Sequence, residues 1–415
     1  MSILIKDVLL DNKKTDIHIE DNLIKEIGKK VEADVVIDGK NKAVIPGFIN
    51  THTHAAMTLL RSYADDMELH DWLQNKIWPL EAKLTEDDVY WGTKLACLEM
   101  IKSGTTCFND MYWYVSSVAK AVEDMGIRAV VSAVFIDLFD KKKSDEQIKE
   151  NKKSVKNFKS KSKRVRIALG PHAIYTVSKE SLQWAKEFAD KNKLMIHIHL
   201  SETKKEVDDS IKSNGKTPVE YLDDIGFLGA NVIATHCVWL SKRDIEILAR
   251  NDVKIAHNPT SNMKLASGIM HYKEMKESGL TISLGTDGCA SNNNLDMFES
   301  MKFASLGQKA FYNDQTIMKS REAFELATVN GAKALRLNAG MIKENMLADL
   351  ILIDLKKAEL TPNYNLISNI VYSANGSCVD TVICDGKILM ENHIVKDEEE
   401  IIEKVNKVAQ DLVSR

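Results

Sequence analysis

The chain lacks any uninterrupted apolar run of membrane-spanning length, and no basic stretch followed by a long apolar one heads it. No membrane association and no export signal are expected. It lacks a Cys-x-x-Cys pair. Its cysteines, Cys97, Cys107, Cys237, Cys289, Cys378 and Cys384, lie mostly inside apolar, strand-like runs. Buried free thiols in a reducing cytosol, and hence a cytoplasmic setting, are the expectation. The chain lacks a basic excess: 56 Lys and Arg stand against 60 Asp and Glu, for a net charge of −4. No global field attracts nucleic acid or anionic lipid. It has few arginines beside many lysines, no repeat of fixed period and no low-complexity linker. It also lacks a Gly-rich phosphate turn after an early strand, which argues against an open doubly wound sheet.

What is present is an ordinary globular composition, 44% hydrophobic over 415 residues, enough for one large domain and a smaller one. Residues 1–47 read as small β structure, with short apolar runs cut by Asp11-Asn12, Asp21-Asn22 and Asp38-Gly39. His18 falls on a strand face there. From 48 to 340 short apolar runs alternate with amphipathic helical stretches. Strands are expected at 44–49, 105–110, 128–136, 164–169, 194–200, 232–236, 253–257 and 281–284. Thr85-Glu86-Asp87-Asp88 opens one intervening helix. Eight strand-then-helix units predict an α/β fold with a parallel sheet closed into a (β/α)8 TIM barrel. The Lys-rich stretch 141–163 reads as a solvated helix or loop. From 341 to 415 the β texture returns, with a hairpin signal at Asp385-Gly386 and a terminal amphipathic helix over 397–413. Both chain ends are expected to form a small β-sandwich beside the barrel.

The densest chemistry is Asn50-Thr51-His52-Thr53-His54, behind an apolar run broken by Pro46-Gly47. Side chains two apart on a strand share a face, so His52 and His54 project together and can grip one ion. In a barrel enzyme the reacting groups sit at the C-terminal strand ends. The fourth expected strand ends in Gly170-Pro171-His172, the fifth in His197-Ile198-His199-Leu200-Ser201-Glu202 and the sixth in His236. The seventh ends in His257-Asn258-Pro259 and the eighth in Gly285-Thr286-Asp287-Gly288. Most of the eleven histidines thus gather at one side.

A catalytic zinc takes three or four protein ligands and keeps one open position. His52, His54, one histidine of the fifth strand and Asp287 supply them. Alternation does not choose between His197 and His199. His199 lies nearer the mouth and is the better ligand, with His197 filling the barrel interior. Bound zinc lowers the pKa of water from 15.7 to about 7. Asp287 can take the water proton. Glu202 reads as a proton donor or as a helix-start carboxylate. His236 reads as an aid to the base or as a buried core histidine. The fourth strand has no lysine that could be carbamylated to bridge two metals, against a dinuclear hydantoinase-like site. The His-x-Glu…Pro-Cys-x-x-Cys signature of the base-editing zinc deaminases is absent as well.

These residues resemble the amidohydrolase superfamily, and within it the 5′-methylthioadenosine/S-adenosylhomocysteine deaminases and their 5′-deoxyadenosine deaminase relatives. The likeness is carried by 46–54, Tyr63-Ala64-Asp65-Asp66, Ile77-Trp78-Pro79-Leu80-Glu81 and Gly170-Pro171-His172. It continues in 197–203, His257-Asn258-Pro259, and Gly285-Thr286-Asp287-Gly288 with Ser291-Asn292-Asn293-Asn294. The resemblance implies that the (β/α)8 TIM barrel is distorted, and that His52, His54, His199 and Asp287 bind one zinc, with iron as an alternative occupant. It implies that Glu81 holds the ribose hydroxyls, that His172 touches purine or ribose, and that Ser291 is a substrate contact. Glu202 would protonate purine N1 and Asp287 with His236 would handle the proton of the hydroxide added at C6. Ammonia leaves, and adenine becomes hypoxanthine. The implied partner is a small nucleoside, with a homo-oligomer expected.

One departure bears on the substrate. Relatives that favour S-adenosylhomocysteine are expected to set arginines after the third strand against its carboxylate. Here 134–151 holds no Arg, only Lys141, Lys142, Lys143 and Lys149. Lysine is a poorer carboxylate clamp, so small 5′ groups are expected to be preferred. The rival reading keeps the metal site and changes the ring, to guanine, cytosine or a triazine. Glu81 discriminates, because a free base has no ribose to hold.

Overall fold

The Pro46-Gly47 break separates two sheets. In this computed structural model, which describes residues 2–158, 160 and 162–415, Lys42–Pro46 pairs antiparallel with Leu350–Asp354, Ile45 opposite Ile351. Phe48–Thr53 then runs parallel to Thr105–Tyr112 in another sheet. The expected single strand 44–49 is therefore two strands. The reason is steric: a Cβ on Gly47 would lie 2.3 Å from the Thr106 side chain, so only glycine lets the chain cross there.

Eight parallel strands follow in sequence order: Phe48–Thr53, Thr105–Tyr112, Arg128–Phe135, Val165–Pro171, Ile196–Leu200, Val232–His236, Lys254–His257 and Thr281–Leu284. They are apolar-rich and almost wholly buried, as parallel strands covered by helices must be. The first and last strands meet through hydrogen bonds outside the strand ladders. The Thr51 hydroxyl donates to the Leu284 carbonyl at 2.8 Å, and the Asp287 N–H donates to the His52 carbonyl at 3.0 Å. The barrel is nearly closed by these contacts. They also bring the motif at 50–54 against the motif at 285–288.

The helices read from sequence form where their caps lie. Glu86–Lys102 starts at Thr85, whose hydroxyl accepts from Asp88 N–H while the Asp88 carboxylate accepts from Thr85 N–H. Lys141–Asn157 is capped by Asp140 and stands largely in water; Lys159 and Lys161 of that lysine-rich stretch lie outside the described residues. Glu398–Ser414 buries Ile401, Val405, Val408 and Leu412 and packs on Glu86–Lys102.

Both chain ends build one nine-stranded mixed sheet around a core of its own, including Ile3, Ile5, Ile17, Ile19, Leu350, Leu352 and Ile383. Val379–Cys384 and Lys387–Glu391 turn at Asp385 and Gly386, with φ of 53° and 72°, the positive pair of a type I′ turn. Arg128, at the start of the third barrel strand, joins the two sheets. Its guanidinium donates to Asp349 at 2.7 and 3.1 Å and to Asp385 at 3.0 Å. All six cysteines are buried and free.

Candidate active site

At the C-terminal rim the backbone leaves the barrel in left-handed turns. Ser201, His236, Cys237 and Asp287 have φ of 49°, 72°, 50° and 66°. None is glycine, and such a conformation costs about 1–3 kcal/mol at each residue. These turns bring side chains from the fifth, sixth and eighth strands back across the mouth.

Two donor groups share His52. His52, His54 and Asp287 offer atoms within 4.8 Å of one another, and so do His52, His199 and His236. The rings are oriented from behind. His54 Nδ1 donates to the Met111 carbonyl at 2.7 Å and His199 Nδ1 to the His172 carbonyl at 2.9 Å. Each bond fixes the proton on Nδ1 and leaves Nε2 as a lone pair facing the site. His52 is fully buried, and its Nε2 has no hydrogen-bond partner; it lies 3.2 Å from Asp287 Oδ1 without the alignment of a bond. A buried, orphaned imidazole nitrogen among two more imidazoles and a carboxylate is a donor set that fits one divalent ion.

His197 does not face the mouth. Its Nε2 lies 2.9 Å from His52 Nδ1 and 3.1 Å from the Thr235 hydroxyl, and Asn109 lies 3.1 Å from its Nδ1. It fills the interior, as expected, and also braces His52. Sequence reasoning missed Ser261 and Asn262. Ser261 donates to Asp287 Oδ2 at 2.6 Å, and the Asn262 amide meets His236 Nδ1 at 2.9 Å. The only signal for them was their place just after Asn258-Pro259.

Burial sets the protonation states. It lowers His52 and His172 to about 3 and His236 to about 4, so these rings are neutral at pH 7. Burial and then the charge of Asp287 push Glu202 up to about 8. Burial works against ionisation of Asp287 too, but the His52 ring and the neighbouring histidines outweigh it and hold the carboxylate well below its usual range. Glu202 Oε2 lies 3.7 Å from His236 Nε2. A neutral acid and a charged base thus face one site.

A cavity opens over this floor. His54, His199, Glu202, His236 and Asp287 line it, with Glu81, His172 and Ser291 on its walls among Trp72, Trp78, Trp113 and Tyr175. His52 lies outside its lining, consistent with its complete burial. Burial raises the Glu81 carboxyl, and the Tyr112 hydroxyl beside it opposes that. A second cavity shares Trp78, Glu81, Trp113 and Ile136 and runs on to Leu84, Leu138 and Glu150. Lys141, Lys142, Lys143 and Lys149 line neither cavity. Lys141 is 80% exposed and paired with Asp145.

A model of the amidohydrolase family matches residues 43–389. Over 402 residues the chain is 53% identical to the 5-methylthioadenosine/S-adenosylhomocysteine deaminase 1 of Archaeoglobus fulgidus, covering 96% of this chain and 95% of that one. It is 50% identical over 424 residues to the 5′-deoxyadenosine deaminase of Methanospirillum hungatei JF-1, covering 100% and 94%. Among solved structures, an adenosine deaminase from Xanthomonas campestris with bound zinc matches with a TM-score of 0.93 at 30% identity, over 100% of this chain and 99% of that one.

Proposed function

The chain belongs to the amidohydrolase family, and from that premise we propose that it is a metal-dependent hydrolytic deaminase of 5′-substituted adenosines, turning adenine into hypoxanthine and ammonia. One observation carries the reading. A single cavity gathers a protonated Glu202, an ionised Asp287, His236 and two metal-donor histidines beside Glu81 and His172. The names of relatives 53% and 50% identical over nearly the whole chain support the nucleoside class.

His52, His54, His199 and Asp287 hold the ion, and we take it to be zinc, as in the Xanthomonas structure. When bound, zinc supplies a water that is nucleophilic at neutral pH. Glu202 donates its proton to purine N1, which draws electrons from C6. Asp287 accepts the proton that the nucleophile gives up. His236 steadies the oxygen that joins C6. Glu81 accepts hydrogen bonds from the vicinal ribose hydroxyls, a charge-assisted contact. His172 and Ser291 border the nucleoside. Asp287 passes its proton to the departing amino group, the C6 hydroxyl proton returns to Glu202, and ammonia leaves, so that water is added in net and both carboxyls regain their starting states. The second cavity takes the 5′ substituent. Its shelf is apolar apart from Glu81 and Glu150, which suits 5′-deoxyadenosine and methylthioadenosine better than the carboxylate of S-adenosylhomocysteine. A cytoplasmic homo-oligomer completes the reading, and light scattering on the purified protein tests the assembly.

The decisive experiment mixes metal-analysed protein with 5′-deoxyadenosine, methylthioadenosine, S-adenosylhomocysteine, adenosine, guanine and cytosine and measures ammonia. Release from the adenosine derivatives, abolished by a chelator and restored by zinc, is expected. Silence toward all of them with one metal per chain overturns the function.

A further inference from the structure

Three helices of this protein share one start: an N-cap hydroxyl, and three residues on a carboxylate that folds back to the N-cap N–H. Asp88 accepts from Thr85 at 2.8 Å, Glu220 from Thr217 at 3.1 Å and Asp244 from Ser241 at 2.8 Å. The helix Lys204–Asn214, which follows Glu202, departs from this pattern. Thr203 caps it, and the Thr203 hydroxyl accepts from Glu206 N–H at 3.1 Å. The Glu206 carboxylate reaches past the cap. Oε1 accepts from Ser201 N–H at 2.9 Å and Oε2 from Glu202 N–H at 2.8 Å.

Those two amides flank the turn that aims Glu202. Ser201 is left-handed, at φ 49°, and its carbonyl accepts from Val238 and Trp239 N–H at 3.1 and 2.9 Å, docking the turn on the loop after His236. Serine does not favour that conformation. Nor does a carboxyl group favour burial: Glu206 is 7% exposed, and burial pushes it up to about 8 while the Ser201 and Glu202 N–H groups pull the other way. Two unfavourable groups are held together by two hydrogen bonds, one to each carboxyl oxygen. A helix cap alone would not need this reach, since the other three manage without it.

We propose that Glu206 is a positioning residue for the deamination: its two carboxyl oxygens clamp the Ser201–Glu202 turn and so fix the Glu202 carboxyl over the reacting ring. This rests on the reading of Glu202 as the proton donor. Glu206 lies outside the lining of the reacting cavity and outside both donor groups. Its loss should therefore lower kcat while leaving substrate binding and metal content alone, because a displacement of about 1 Å in a reacting group costs about 10²-fold in rate.

The test uses the full chain and 5′-deoxyadenosine, with kcat, KM, metal content and a thermal melt recorded for Glu206→Gln, Glu206→Asp and Glu206→Gln/Ser201→Gly. Glutamine brings an N–H against an N–H, and aspartate is too short to span both amides. Both single variants are expected to lose about 30-fold or more in kcat, with KM within about threefold and metal retained. Glycine adopts positive φ freely, so Ser201→Gly should recover about fivefold of that loss. A merely structural role would not produce that rescue. Should Glu206→Gln melt below the assay temperature, Glu206→Asp carries the comparison. Either folded single variant keeping more than half of the wild-type kcat overturns the clamp, as does a loss that glycine leaves unchanged. A wild type inert toward every adenosine derivative overturns the function and this role with it. An active wild type beside an unimpaired variant overturns this role alone.

Discussion

A carboxyl that gives up a proton at neutral pH needs its charged form penalised, and Glu202 is penalised by burial and by the charge of Asp287. Its folded pKa lies above the usual value, so the donor is loaded below about 8 and empties as pH rises through that value. For 5′-deoxyadenosine, kcat/KM should therefore hold level through neutrality and then fall tenfold per pH unit above about 8. An ammonia assay from pH 6 to about 10 reads this; a profile still flat at its upper end would contradict the assignment. Glu202→Gln keeps the shape and removes the titrating proton. It should lower kcat by about 10²–10⁴-fold and keep the metal, since Glu202 is in neither donor group. His52→Ala should instead lose metal and activity together, as elemental analysis of the purified variant would show.

At the scale of elements, the short helix Trp78–Glu81 decides which molecules qualify, because Glu81 lies in both cavities. Glu81→Ala should cut kcat/KM for 5′-deoxyadenosine by about 10²-fold, mostly through KM, as expected for losing hydrogen bonds to a charged acceptor. Equal loss on a free base would show that Glu81 holds no ribose. S-adenosylhomocysteine should run at least about tenfold behind 5′-deoxyadenosine in kcat/KM, near 1.4 kcal/mol; the reverse order would refute the apolar shelf. Much of this was legible in the sequence. Strand alternation put His52 and His54 together, and the barrel rule put Glu202 and Asp287 at the same rim. The bracing was not legible. His197 meets His52 across 145 positions, and Ser261 meets Asp287 across 26, contacts that arise only when the barrel curls. Glu206 carried the spacing of a common helix cap and gave no sign that it reaches past one.

At the scale of the molecule, alternating strands and helices announced the barrel, but the run at 44–49 hid a change of sheet. Periodicity sees burial and not the partner that causes it, and Ile45 and Ile49 are both buried, in different sheets. The joint between those sheets is held by Arg128, 4% exposed, against Asp349 and Asp385. Removing one member of a buried ion pair leaves the other charge uncompensated, at about 3–5 kcal/mol. Arg128→Ala strands Asp349, itself 4% exposed, and should lower unfolding free energy by about that amount in urea. Arg128 begins its strand, at the end of the barrel away from the rim that carries Glu202 and Asp287. Below its melting temperature the variant should therefore keep kcat and KM within about twofold. Distant sites with no shared partners act independently. A stable variant with lost activity would mean that the end sheet reaches the chemistry, and the separation of scaffold from site would fail.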